Sequence, residues 1–161
     1  MKNLLIVSDS HHNHRILADL VKKYPDMDYY LHLGDSELYQ DEIMPFIAVK
    51  GNNDFDLSLP SLKVLTIESL RLLMVHGHYY CLFGNKDALI AKAKEKNCGV
   101  VLYGHTHVPS DETTRGVRMI NPGSLSYNRD GSSPSYVIAR IEGEKIEVDF
   151  YHIKFPFNPL K

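Results

Sequence analysis

A chain of 161 residues, 43% hydrophobic and 24% charged, has the length and balance of one globular domain that buries its core without disulfides or a structural metal. That balance excludes a disordered, collagen-like or coiled-coil chain, and the whole of 1–161 is expected to form a single domain. Eighteen Lys and Arg against twenty Asp and Glu leave a formal charge of -2 with no basic run, so no dedicated nucleic-acid surface is expected.

Leu4 to Val7 is a short apolar run closed by Ser8 and Asp9, which predicts a strand buried on both faces and is too short for a signal segment or a membrane span. Asn13 is placed to cap a helix in which Ile16, Leu17, Leu20 and Val21 form one apolar stripe, ended by Pro25. Tyr29 to Leu33 predicts a second strand running into Gly34-Asp35, and Phe46 to Val49 a third running into Gly51-Asn52-Asn53-Asp54. Leu62 to Ile67 and Leu70 to Val75 predict a hairpin around Glu68 and Ser69 that leads into His76-Gly77-His78. A second helix, capped by Asn85 and stopped by Gly99, carries Leu89, Ile90 and Ala93, and Val100 to Tyr103 is a strand before Gly104-His105-Thr106-His107. The rest, Thr113 to Ile120, Ser135 to Ile141 and Ile146 to Ile153, alternates like antiparallel hairpins with no helix between. The expected fold class is α/β, two packed mixed sheets with helices outside.

Nine histidines and no tryptophan stand out, because imidazole is the commonest transition-metal ligand. Ligands in open α/β sheets gather beyond the carboxyl ends of strands, and this chain loads those ends with Asp9, His11, Asp35, Asn52, His76, His105 and His107. Two carboxylates, one amide oxygen and four imidazoles suit manganese, iron, zinc, cobalt or nickel, whereas calcium and magnesium prefer all-oxygen shells. One ion would leave donors spare. Two ions about 3.5–4 Å apart need a bridging carboxylate, for which Asp35 is the natural choice, and such a pair clamps both oxygens of an in-line displacement. Gly34, Gly51, Gly77 and Gly104 beside the donors let the loops crowd together.

In that order, Asp9-Ser10-His11, Gly34-Asp35, Gly51-Asn52-Asn53-Asp54, His76-Gly77-His78 and Gly104-His105-Thr106-His107 resemble the signature of the calcineurin-like metallophosphoesterases, in particular the small YfcE-type phosphodiesterase branch. The resemblance covers residues 4 to about 125. It implies a four-layer α-β-β-α sandwich and a two-metal phosphoesterase, in the first place a phosphodiesterase, that breaks P–O bonds by in-line attack of a metal-bound hydroxide. It also implies two divalent ions, Mn2+ first among them: Asp9, His11 and His107 would hold one, Asn52, His76 and His105 the other, and Asp35 would bridge. A non-catalytic protein-binding scaffold of the same fold, as in retromer, and a phosphomonoesterase or nuclease are the alternatives.

Asp35, Asn52 and His78 are the candidate catalytic residues, and His12, Asn53 and His78 the candidate substrate contacts. Many members of the wider family carry His where this chain has Asn53, whose amide is no acid at neutral pH, so the donor of the leaving-group proton is unassigned and esters with acidic leaving groups are favoured. Asp54 is expected to orient a neighbouring ligand, and Asn121-Pro122-Gly123-Ser124 to form a structural turn near the site. His14, His32 and His152 read as ordinary, Tyr79, Tyr80 and Phe83 as packing, and Arg115, Arg118 and Arg129 as the arginines able to meet phosphate. Cys81 and Cys98 fit no zinc spacing or disulfide framework, so a cytoplasmic location is expected; the resemblance implies a small phosphoester as substrate, and no membrane contact is expected. The meander strands leave homo-oligomerisation open.

Overall fold

The computed structural model describes residues 1–155 and 157–160. In chain order the elements are β1 (Lys2–Val7), α1 (His14–Lys23), β2 (Tyr29–His32), β3 (Ile47–Ala48), β4 (Leu62–Ile67), β5 (Leu70–Val75), α2 (Asp87–Glu95), β6 (Val100–Leu102), β7 (Ser110–Thr114), β8 (Val117–Asn121), β9 (Ser135–Glu142) and β10 (Lys145–His152). One sheet has the order β10-β9-β1-β2-β3 and the other β4-β5-β6-β8-β7. β1, β2 and β3 run parallel, as do β5, β6 and β8, while the hairpin partners run antiparallel.

The period of two along each strand sorts the apolar residues into three cores. Leu4 and Ile6 of β1 meet Leu72 and Met74 of β5 between the sheets. The alternate residues Leu5 and Val7 face Ile16, Leu17 and Leu20 of α1, and Leu73 and Val75 face Leu89, Ile90 and Ala93 of α2. The result is the four-layer α-β-β-α sandwich. Each fully buried leucine or isoleucine stabilises it by about 1.5–3 kcal/mol, so a Leu4→Ala or Leu72→Ala change acts on the fold rather than the site.

Local signals hold where a side chain supplies them. Asn13 accepts a hydrogen bond from the Ile16 amide at 3.2 Å and starts α1. Four details differ from expectation. β3 is only two residues long: before it Phe46 N turns back to the Ile43 carbonyl, and after it only Val49 N keeps a bond to β2, at the His32 carbonyl. α2 begins at Asp87, one residue later than an Asn85 cap implies, although Asn85 Oδ1 does accept the Asp87 amide at 2.8 Å. The helix ends not through Gly99 but through Asn97, which takes a left-handed φ of 55° that asparagine tolerates. A 3-10 turn at Gln40–Ile43 was not anticipated. The two C-terminal hairpins also part company: β7 and β8 extend the second sheet, whereas β9 returns to pair with β1.

The functional consequence is topological. Every predicted donor loop follows the carboxyl end of a parallel strand, and the two sheets' ends are joined by hydrogen bonds: His105 N to Asp9 Oδ2 at 3.1 Å and Ser124 Oγ to the Asp9 carbonyl at 2.9 Å.

Candidate metal centre

The loops are laced before any side chain is considered. Asp9 N donates to the Gly34 carbonyl and His11 N to the Asp35 carbonyl, both at 3.0 Å, tying the β1 loop to the β2 loop. The Asp54 carboxylate accepts the amides of Asp35 (2.8 Å), Glu37 (2.8 Å) and Gly51 (2.6 Å), tying the β2 loop to the β3 loop. Asp54 therefore orients Asp35 through its backbone. Five of the seven predicted donors have left-handed backbone: Asp9 (φ 52°), His11 (44°), Asp35 (57°), His105 (68°) and His107 (57°). Each costs about 1–3 kcal/mol, a strain that persists only where the surroundings over-determine it, as this lacing does. Gly34, at φ 101°, is packed so tightly that a Cβ there would sit 2.7 Å from His76 Nδ1, and one at Gly51 would strike the Asp35 carboxylate.

All seven predicted donors converge. Asp9 is fully buried; its Oδ2 accepts from Ser8 Oγ at 2.6 Å and from His105 N, while Oδ1 has no hydrogen-bond partner. Around that oxygen lie His107 Nε2 at 3.2 Å, His76 Nε2 at 3.7 Å and His11 Nε2 at 3.9 Å. Asp35 Oδ2 is 3.3 Å from His76 Nε2. Asn52 Oδ1 lies 3.0 Å from His76 Nε2 and 3.1 Å from His105 Nδ1. Two compact groups result, Asp9–His11–His107 and Asp9–Asp35–His76, with Asp9 in both.

The outer partners assign the tautomers. A carbonyl only accepts, so His76 Nδ1, 2.8 Å from the Leu33 carbonyl, and His107 Nδ1, 3.0 Å from the Tyr127 carbonyl, carry their protons there. His11 Nδ1 likewise faces Glu37 Oε2 at 3.2 Å. In the neutral rings each Nε2 then presents a lone pair to the centre. His11 Nε2 and His107 Nε2 stand 3.3 Å apart, acceptor against acceptor, beside the unpartnered Asp9 oxygen. Such a set fits a divalent cation and leaves no other donor among the described residues to satisfy it.

The electrostatics agree. Burial opposes ionisation of Asp9 and Asp35, but His107, His76 and Ser8 outweigh it at Asp9, and His76 with Asn53 outweighs it at Asp35, so both carboxyls lie below the usual range. Burial works to lower His76, yet the hydrogen bond to Asp35 and the charge of Asp9 hold it above the ordinary histidine value. Burial, reinforced by neighbouring His76, lowers His105.

The candidate substrate contacts divide. Asn53 directs its backbone N–H to Asp35 Oδ1 and its amide Nδ2 to Asp35 Oδ2, both at 2.9 Å, and so clamps the carboxylate. His12 is exposed, 3.7 Å from Glu37 Oε2. His78 lies tilted against Tyr79 with centroids 3.9 Å apart, 5.4 Å from the His76 ring, and burial plus the charges of His76 and His105 push its pKa down. His32 is a satisfied sheet histidine, accepting the Gly34 amide on Nδ1 and facing Ser10 Oγ through Nε2. His14 and His152 lie exposed, away from the donors. Asn121 Nδ2 bonds the Gly104 carbonyl and Thr106 Oγ1, so the Asn121–Ser124 turn buttresses the donor loops. Of the three arginines, Arg115 pairs with Asp87 and Arg118 with Asp111, whereas Arg129 borders the cavity over the centre. Glu37 and the Tyr127 carbonyl were not foreseen: nothing in a lone acidic residue two positions after Asp35 marks it as a histidine's partner, and a carbonyl leaves no trace in residue identity.

Residues 1–144 match the calcineurin-like phosphoesterase superfamily domain. A probable metallophosphoesterase of Bacillus subtilis strain 168, YsnB, is 37% identical over 155 residues, covering 92% of this chain and 90% of its own. The phosphodiesterase YfcE of Escherichia coli K12 is 35% identical over 99 residues, 56% of this chain and 50% of its own. A crystal structure from Streptococcus pneumoniae TIGR4, described as a predicted phosphoesterase, superposes with a TM-score of 0.85 at 30% identity, covering 97% of this chain and 94% of the other. The strand-end donors, the four-layer sandwich and these likenesses agree, and the chain belongs to the calcineurin-like phosphoesterase superfamily.

Proposed function

We propose that this metallophosphoesterase is a phosphodiesterase that works with two divalent cations. The observation that carries the reading is the buried Asp9 Oδ1, without a hydrogen-bond partner and ringed by three imidazole nitrogens. Asp9, His11 and His107 would hold one ion and Asn52, His76 and His105 the other, with Asp35 between them; Mn2+ is the first choice, and iron, zinc, cobalt and nickel suit the same donors. When bound, the ions supply Lewis-acid activation of water and neutralise charge on the phosphoryl oxygens. In the hydrolysis one P–O bond to water's oxygen forms as the P–O bond to the alcohol leaving group breaks.

The protein's own groups set the geometry. Asn53 holds both Asp35 oxygens, and Glu37, the Leu33 carbonyl and the Tyr127 carbonyl aim three imidazoles inward. Burial and the charges of His76 and His105 disfavour the imidazolium form of His78, which favours diesters whose leaving groups depart without protonation. The phosphodiesterase activity named for YfcE supports the diester over the monoester. A scaffold has no physical need for seven converging donors, five of them on strained backbone. A cytoplasmic location and a small substrate complete the reading; among the described residues no helix is long and apolar enough to cross a membrane.

The test is to strip the protein with chelator, reload it with Mn2+, and compare bis(p-nitrophenyl) phosphate with p-nitrophenyl phosphate. Two manganese ions per chain and a diester preference of at least about tenfold, some 1.4 kcal/mol in the barrier, are expected. A loaded protein that cleaves neither ester would return the chain to the scaffold class.

A further inference from the structure

The metal centre opens into two clefts that share Asn52. One, about 300 Å³, runs past Tyr127 and Arg129; the other, about 290 Å³, runs past His78, Tyr79 and Lys50. Their walls repeat one chemistry. In each, an exposed tyrosine rests against a histidine: Tyr127, 53% exposed, lies 4.6 Å from the His107 ring, and Tyr79, 66% exposed, lies 3.9 Å from the His78 ring. Large aromatic faces held open beside a polar centre contribute little to a core, yet they are what a base or other aromatic group stacks on. Each cleft also holds a cation, Arg129 or Lys50, that makes no ion pair among the described residues.

We propose that the substrate is a short dinucleotide with a terminal phosphate. The scissile diester lies over Asn52, one nucleoside extends along each cleft with its base on Tyr127 or Tyr79, and the terminal phosphate meets Arg129. The inference rests on the phosphodiesterase reading and narrows it. Two arms require a phosphorus with two sizeable substituents, which a monoester lacks. A planar guanidinium pairs two donors with two phosphate oxygens, which suits Arg129 to the terminal group better than the point charge of Lys50. One unpaired cation per cleft and a chain charge of -2 match a ligand of two or three phosphates and not a long strand.

The experiment uses the full chain loaded with Mn2+ and reads both binding and turnover. Calorimetry follows a 5′-phosphorylated dinucleotide with a phosphorothioate linkage, the same compound without the terminal phosphate, and a nucleoside 5′-phosphate methyl ester. The first is expected to bind about tenfold tighter than the methyl ester, and Tyr127→Ala and Tyr79→Ala each to remove most of that advantage, while Tyr127→Phe and Tyr79→Phe retain it. Arg129→Ala should abolish the preference for the terminal phosphate and Arg129→Lys restore part of it. With the natural linkage, the alanine changes at the tyrosines should raise KM more than they lower kcat. Equal affinity for one- and two-nucleoside ligands, unchanged by either tyrosine substitution, would overturn the substrate class while manganese-dependent cleavage of bis(p-nitrophenyl) phosphate kept the hydrolase reading. Tyrosine-dependent binding of the dinucleotide with no cleavage of any diester would do the reverse.

Discussion

The two halves of the metal centre are built to different standards. In the Asp9–His11–His107 half, Asp9 is fully buried, His11 and His107 each have an outer partner in Glu37 or the Tyr127 carbonyl, and the backbone is laced to the β2 loop. In the half made of Asn52, His76 and His105 only His76 has such an outer partner, the Leu33 carbonyl; Asn52 is exposed, and its Oδ1 is the one hydrogen-bond partner of His105 Nδ1 among the described residues. One half is preorganised, and the other has donors free to follow a ligand. The difference teaches where binding energy is set before the cation arrives and where the substrate can adjust the site.

Asp9 joins the halves, so its loss has the largest expected effect. Asp9→Asn keeps the shape but removes the charge shared by both groups, and hydrolysis of bis(p-nitrophenyl) phosphate should fall on the order of 10³-fold, as when a preorganised charge-stabilising group is lost. Manganese analysis of the purified variant should find fewer than two ions per chain. A variant that retained two ions and full activity would show that the halves are independent.

A smaller effect tests the buried half without its ligands. His32 accepts the Gly34 amide on Nδ1, and burial pushes its pKa down to about 4. Unfolded, the same ring titrates near the ordinary value of about 6.5, so between these values the unfolded chain takes up a proton that the folded one refuses. Stability of the metal-free protein should therefore fall as pH drops through this window, by up to about 3 kcal/mol from His32. The depressed Asp9 and Asp35 act below it, since their stabilisation is lost only as pH falls beneath the unfolded carboxyl value. His78 and His105 shift in the same direction as His32, so its share is read as the difference between wild type and His32→Gln in urea titrations at pH 7 and pH 4.5. Parallel pH profiles for the two proteins would assign the acid sensitivity elsewhere.

The same contrast explains what could be read from the chain. Donors were legible because an Asp or His directly after a short apolar run has one place to go, the carboxyl end of a strand, and the unbroken run Leu4-Leu5-Ile6-Val7 shows both faces of that strand to be covered. The α1 cap at Asn13 was legible for the same local reason. What lay beyond local pattern was pairing across the fold. Arg118 and Arg129 are equivalent as residues, and only the placement of Asp111 on the neighbouring β7 takes the first away from the site. Asn53, read as a substrate contact, reaches 18 positions back to clamp Asp35. The Asn97 stop and the two-residue β3 depended on how neighbouring segments turned, which no periodicity records.

Glu37 offers the sharpest way to separate the halves, because it touches only one. Its Oε2 lies 3.2 Å from His11 Nδ1, fixing the proton there and leaving Nε2 for the cation, while Asp54 pins its own backbone amide. Glu37→Gln removes the carboxylate charge facing His11 Nδ1 but keeps an oxygen able to accept from it. Replacing such an outer partner typically costs about 10–100-fold in metal affinity. A manganese titration should therefore show one site weakened by that factor and the other unchanged, with activity restored at high manganese. Glu37→Ala, which also frees the ring to rotate, should weaken the same site further. If both sites weakened together, the acid would be supporting the laced β1 and β2 loops as a whole rather than one imidazole, and the preorganised half would extend across the entire centre.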